Sequence, residues 1–160
     1  MALRQIVKFG ENILRKKSRP VTNFDERLWT LLDDMAETMH SKDGAGLAAV
    51  QVGVLRRAVV IDVHDEHGVI ELINPEIVSA EGTQCGNEGC LSAPNMWEEV
   101  ERPNIVTVKA QDRHGKEFTM TGSALLARAF CHELDHLDGV LFIDHVKSGG
   151  VPAHKDITAK

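Results

Sequence analysis

The residue types and spacing best suited to chemistry in this chain lie in Cys131-His132-Glu133-Leu134-Asp135-His136. On an α-helix, residues four apart sit one above the other on the same face. His132 and His136 so placed can hold one divalent metal ion. Glu133 then stands beside the metal without ligating it, where a general base for an activated water belongs. The plainer alternative is a pair of core histidines bonded to backbone. The flanking residues weigh against it. The segment from Ser123 to Gly139 reads as one helix, with Ser123 as N-cap and Gly139 as stop. Leu125, Ala129, His132 and His136 share one face, and Leu126, Phe130, Leu134 and Leu137 form an adjoining apolar stripe. Only Arg128, Asp135 and Asp138 make a narrow polar strip. A helix apolar around most of its girth is buried. Buried imidazoles need partners, and a metal supplies them.

A catalytic metal held by two histidines needs a third protein ligand and an open position. A third histidine six residues after the second would fall at position 142, which is Phe142. No Glu follows Glu133, so a downstream glutamate ligand is excluded too. The third ligand comes from upstream, or is Asp138, Asp144, His145 or His154. One upstream source is Cys85-Gly-Asn-Glu-Gly-Cys90, read as a glycine-containing loop that can bring a thiolate to a metal. Cys85 and Cys90 together with both histidines would make a closed structural site, and Glu133 would then have no task.

The elements that must position these residues follow from the rest of the chain. At 160 residues it reads as one domain, residues 1–147, followed by an aperiodic tail over 148–160. A net charge of −6 argues against general nucleic-acid binding. No apolar run is long enough for a membrane span, and the start has no secretory or transit pattern. Three cysteines do not suggest a disulfide framework, which points to a reducing cytoplasm. Residues 2–23 read as a strand-like start, a short helical turn and a loop. Asp25 caps a helix running to about His40, with Leu28, Leu31, Leu32, Met35 and Met39 as its core stripe. Glycines 44, 46 and 53 break the chain around Gln51, which stands either at a close-approach site or on the surface. Strands are expected over 57–63, 69–74, 77–81, 105–111 and 117–121, with turns at Glu66-His67-Gly68, Asn74-Pro75 and Asp112–Gly115. His64, His67 and His114 read as solvated.

Three stretches stand together: Gly44-Ala-Gly-Leu-Ala-Ala-Val-Gln51, Glu88-Gly-Cys-Leu-Ser92 and His132-Glu-Leu-Asp-His136. In this order and at these separations they resemble the three signature motifs of the peptide deformylases. The resemblance extends through Ile13-Leu-Arg-Lys-Lys17, Leu72-Ile-Asn-Pro75, Val100-Glu-Arg-Pro103 and Val106-Thr-Val-Lys109. It implies an α+β fold, with antiparallel β-sheets packed around a central helix carrying the His-Glu-x-x-His motif. It implies Cys90, His132 and His136 as metal ligands, Glu133 as general base and acid, and Gln51 with the Leu91 N–H as oxyanion donors. Gly46 would offer backbone hydrogen bonds to the substrate. The implied reaction removes the N-formyl group from the formyl-methionine of nascent polypeptides and releases formate. The implied metal is Fe(II) in the cell, with Zn, Ni or Co able to replace it.

An apolar pocket for methionine would involve Ala129, Leu125 and Trp97. The expected partners are N-formylmethionyl peptides and the ribosome near its exit tunnel, with no sequence-specific nucleic acid, no membrane and no second subunit. The expected location is the bacterial cytoplasm. Two positions depart from the family pattern: Cys131 stands where Gln is common, and Ala93-Pro94-Asn95 where Val-Pro-Gly is frequent. Cys131 would add an oxidisable thiol near the metal. The tail does not resemble the ribosome-docking helix of some members. The competing classes are a zinc endopeptidase and a non-enzymatic, metal-stabilised binding module.

Overall fold

The computed structural model describes residues 2–146. The expected tail over 148–160, His154 and the end of the proposed domain lie outside them. Helix α1 spans Glu26–Ser41 and helix α2 spans Leu125–Leu137. The strands are β1 (Gly46–Ala48), β2 (Ala58–Ile61), β3 (Ile70–Glu81), β4 (Gln84–Cys90), β5 (Ala93–Arg102), β6 (Ile105–Gln111) and β7 (Glu117–Ser123). Five form one antiparallel sheet in the order β1-β2-β3-β6-β7, and β4 and β5 form a separate hairpin. The fold is α+β.

Both faces of the five-stranded sheet are covered. The α1 stripe Leu28, Leu31, Leu32, Met35 and Met39 packs against Leu47, Ala58, Val60 and Ile73. The other face, with Val59, Ile61, Leu72, Val106 and Val108, packs against Leu126, Phe130, Leu134 and Leu137 of α2. A strand buried on both faces loses its polar alternation, which accounts for the run Ala-Val-Val-Ile in β2. Asp25 caps α1 as expected, its carboxylate accepting from the Leu28 N–H.

Four local expectations differ. Ser123 is the last residue of β7, paired with Ile105, and does not cap α2. Ala124 takes the N-cap position with φ 53° and ψ −121° and makes no side-chain cap. The sheet ladder holds Ser123 extended, so a single residue must turn strand into helix. Asn74-Pro75 is a kink inside one continuous strand. Register skips from Ile73 to Glu76 there, so the missing proline N–H falls where the ladder is broken. Asn74 stitches the kink with side-chain bonds to Val21 and Gln111. Among the described residues the start of the chain forms no strand; its Val7 and Phe9 N–H groups donate to Gln51 O and Ser92 O across the site.

The presumed loop at 85–94 is the β4–β5 hairpin, turning at Leu91-Ser92. Its glycines imitate loop residues, and Gly89 serves close approach. A Cβ on Gly89 would lie 2.8 Å from the Trp97 ring, and one on Gly86 would lie 3.4 Å from the Arg128 guanidinium.

Candidate active site

Helix α2 ends in a motif that closes its last turn. The N–H of Gly139 donates to His136 O and that of Val140 to Asp135 O, with Gly139 at φ 76°. This stop leaves His132 and His136 on the last two turns, facing the hairpin. Their rings lie 4.9 Å apart, centroid to centroid. Cys90, at the end of β4, brings Sγ to 3.3 Å from His136 Nε2. One ligand atom from each of Cys90, His132 and His136 lies within 4.8 Å of the other two. Phe142, on the 3₁₀ turn Phe142–His145, packs against the His132 ring at 5.9 Å.

The other candidate ligands among the described residues are engaged elsewhere. Asp138 pairs with Arg57, Asp144 with Arg15, and His145 with Asp135. Cys85 is exposed on β4 opposite Glu101, five residues from Cys90 along an extended strand. Successive strand residues alternate faces, so positions five apart point to opposite sides. The four-ligand closed site does not form.

Residues behind the three candidate ligands set their orientation. Glu88 Oε2 accepts from His132 Nδ1 at 2.5 Å and from Arg102 Nη2 at 2.6 Å. Glu88 Oε1 accepts from Arg102 Nε at 3.1 Å and from Arg128 Nη1 at 2.8 Å. Burial alone would raise the Glu88 carboxyl pKa, but the bonds from His132 and Arg102 outweigh it and hold it well below the usual carboxylate range. An anionic Glu88 fixes a proton on Nδ1 and turns Nε2 of His132 toward Cys90 and Glu133. Burial opposes charge on the ring, but Glu133, Cys90 and Glu88 together hold the imidazole well above its usual value, and a metal at Nε2 would take the place of that second proton. Burial holds His136 well below its usual value, so it is a neutral imidazole. One thiolate and two imidazoles, closed on one side and open to a cleft on the other, fit a divalent transition metal. Glu133 Oε1 is a buried acceptor without a hydrogen-bond partner among the described residues, which fits a group held at these ligands.

Glu133 is buried, with Oε2 3.9 Å from His132 Nε2. Burial pushes its carboxyl up to about 7. Gln51 is buried as well, which decides against a surface position. Its Oε1 accepts from the Ala48 N–H at 2.9 Å. Because a backbone N–H can only donate, that bond orients the amide and turns Nε2 toward Cys90 Sγ (3.4 Å) and Ser92 Oγ (3.1 Å). A cleft of about 510 Å³ opens over this centre and is lined by Gly46, Leu91, Trp97, Leu125, Ala129 and Glu133 among others. Cys131 points the other way, into the main core, and burial raises its thiol to about 11.

The family model for polypeptide deformylases matches residues 3–150. The chain belongs to the polypeptide deformylase family. It is 61% identical over 146 residues to the peptide deformylase of Caldicellulosiruptor bescii, covering 91% of this chain and 87% of that one. To the peptide deformylase of Thermoanaerobacter pseudethanolicus it is 59% identical over 144 residues, covering 90% and 89%. The crystal structure of peptide deformylase from Thermotoga maritima superposes with a TM-score of 0.88 at 43% identity, covering 91% of this chain and 99% of that one. The Thermus thermophilus enzyme gives 0.89 at 37% identity, covering 98% and 93%. The activity that goes with deformylase membership is metal-dependent removal of formyl groups from nascent peptides.

Within the deformylase site, sequence reasoning missed Glu88, Arg102, Arg128 and Asp135. Arg128 was expected in a polar strip, yet it is buried against the hairpin. Glu88 had a signal. It lies two residues before Cys90 and so on the same face of a strand. A ligating histidine commonly donates its second N–H to such a carboxylate.

Proposed function

We propose that this chain hydrolyses the N-terminal formyl group of formyl-methionyl polypeptides, with Cys90, His132 and His136 holding Fe(II), or Zn, Ni or Co in its place. The observation that carries the reading is the meeting of those three ligand atoms beside the buried Glu133 carboxylate on the floor of one open cleft. The bound metal would polarise the formyl carbonyl and acidify water.

The rest is the work of this chain's own side chains. Glu133 Oε2 takes the proton of the attacking water. A carboxyl raised toward neutrality also suits the second task, protonation of the amine nitrogen as the C–N bond breaks. Gln51 Nε2 and the Leu91 N–H stabilise the oxygen on which charge develops. Removal of one such donor typically lowers the rate by about 10²–10³-fold. Leu125 and Ala129 form the apolar wall for the methionine side chain, and Trp97 stands at the cleft mouth, 66% exposed. Gly46, without a Cβ, lets β1 lie against Glu133 at the cleft and offers its backbone hydrogen-bonding groups to the substrate. A substrate newly made on the ribosome, and the bacterial relatives, support a cytoplasmic site of action near the exit tunnel. Among the described residues, no helix is long and apolar enough to cross a membrane.

The test is formate release from formyl-Met-Ala-Ser by anaerobically purified protein, beside Glu133→Ala, with metal analysis of both. Release by the wild type alone, with metal retained in both proteins, supports the assignment. Metal in both and formate from neither would overturn it.

A further inference from the structure

The wall of the cleft carries a charge that this mechanism leaves unused. Arg128 lies one helical turn before His132, on the same face of α2, and its side chain is 8% exposed. Its Nη1 donates to Glu88 Oε1 at 2.8 Å and to Val100 O at 3.0 Å, and its Nη2 to Gln84 Oε1 at 3.3 Å. Burying a guanidinium is costly, and a hydrophobic side chain of similar size is often no worse for stability. Arg102 meets Glu88 with two bonds and pairs with Asp135 as well, so Arg128 completes a cluster of two carboxylates and two guanidiniums; charge balance accounts for a second guanidinium but not for its place on Glu88 Oε1.

The position of the second guanidinium is informative. His132 is bonded to Oε2 of Glu88, and Arg128 is bonded to Oε1. The terminal torsion of a glutamate is soft and has no sharp minima of its own. With Arg128 on one oxygen and Arg102 bridging both, the carboxylate plane is held from two sides. The direction of Oε2 is therefore set, and with it the ring of His132 and the aim of Nε2. The guanidinium lies against the hairpin backbone: a Cβ at Gly86 would be in ordinary contact with Arg128 Nη2, at 3.4 Å.

We propose that Arg128 is a positioning residue of the metal centre, holding Glu88 so that Glu88 holds His132. The inference rests on the reading of Cys90, His132 and His136 as ligands. Without Arg128, Glu88 retains its charge but gains rotational freedom, and the ligand set loses preorganisation.

The test uses full-length protein with Co(II) as probe. The measurements are the dissociation constant by chelator competition, the visible absorption spectrum and the thermal midpoint of the metal-free form. Arg128→Met is expected to weaken cobalt binding by about 10- to 100-fold, the usual effect of losing an outer-shell partner, and to shift the spectrum. Arg128→Lys, which can still reach Oε1, is expected to restore most of both. In a Glu88→Gln background, Arg128→Met should add less than about a twofold further loss, because coupled groups are non-additive. Arg128→Gln carries the same expectation and serves if the methionine variant does not fold. Unchanged affinity and spectrum, even with a lowered thermal midpoint, would show that Arg128 only ties α2 to the hairpin and would overturn the proposal. So would an undiminished loss in the Glu88→Gln background. Failure of the wild type to bind cobalt would instead sink the ligand assignment itself.

Discussion

Gly46 lies beneath the Glu133 carboxylate, and a Cβ there would stand 2.5 Å from Oε2. That contact cannot be relieved without moving either the Glu133 side chain or β1. Displacements of about 1 Å in a catalytic group can cost about 10² in rate. Gly46→Ala is therefore expected to lower kcat by about that factor while leaving metal content at the wild-type level, as measured by formate release and metal analysis. A variant of normal activity would mean that Glu133 has no fixed position to lose. Gln51 makes a different demand. Its Oε1 is committed to Ala48, so only Nε2 is available to the substrate. Gln51→Ala should lower kcat by about 10²–10³-fold with little change in KM, since the donor acts on charge that appears only during reaction. A loss confined to KM would assign Gln51 to binding alone.

At the scale of elements, everything depends on how α2 is launched and stopped. Its stop is built from Gly139, whose φ of 76° suits glycine. Its start is not: Ala124 holds φ 53° and ψ −121°, a conformation that L side chains rarely adopt. The carbonyl of Ala124 accepts from Arg128 N and from Gln84 Nε2, so the joint is fixed from both sides. Such strain costs about 1–3 kcal/mol per residue. Ala124→Gly removes it at an entropic cost of about 0.5–1 kcal/mol. The variant should gain about 1 kcal/mol, which for a chain of this size raises Tm by about 2–4 °C in thermal unfolding of the metal-free protein. A lower Tm would show that the joint is not strained. This start was illegible in the sequence because Ser123 is a good cap by type. Pairing of Ser123 with Ile105 in the sheet overrides that preference.

Across the whole molecule, what could be read from the sequence followed the range of the interaction. His132, Glu133 and His136 were legible because helical periodicity brings them together locally. The α1 stripe was legible for the same reason. Spacing alone left Cys90 among several candidate ligands, and only the ordered motif set selected it. The pairs Glu88–Arg102, Glu88–Arg128 and Arg102–Asp135 join the hairpin to α2, and no local pattern announces them. A further long-range tie ends α1. His40 Nε2 lies 2.8 Å from Asp62 Oδ2, while Asp62 N donates to Ala45 O, so helix end, sheet and the cleft lip at residues 42–46 share one anchor. The His40 bond and the His64 N–H hold Asp62 below its usual carboxyl value. A carboxylate whose folded value is depressed adds stability above its unfolded value of 3.8, and that stability is lost as pH falls through the folded value. Urea midpoints should therefore decline in acid below the unfolded Asp value, and Asp62→Asn should flatten that decline while lowering stability at neutral pH. An acid limb equally steep in Asp62→Asn would assign the decline to other carboxylates, with Glu88 the first to test by the same titration of Glu88→Gln.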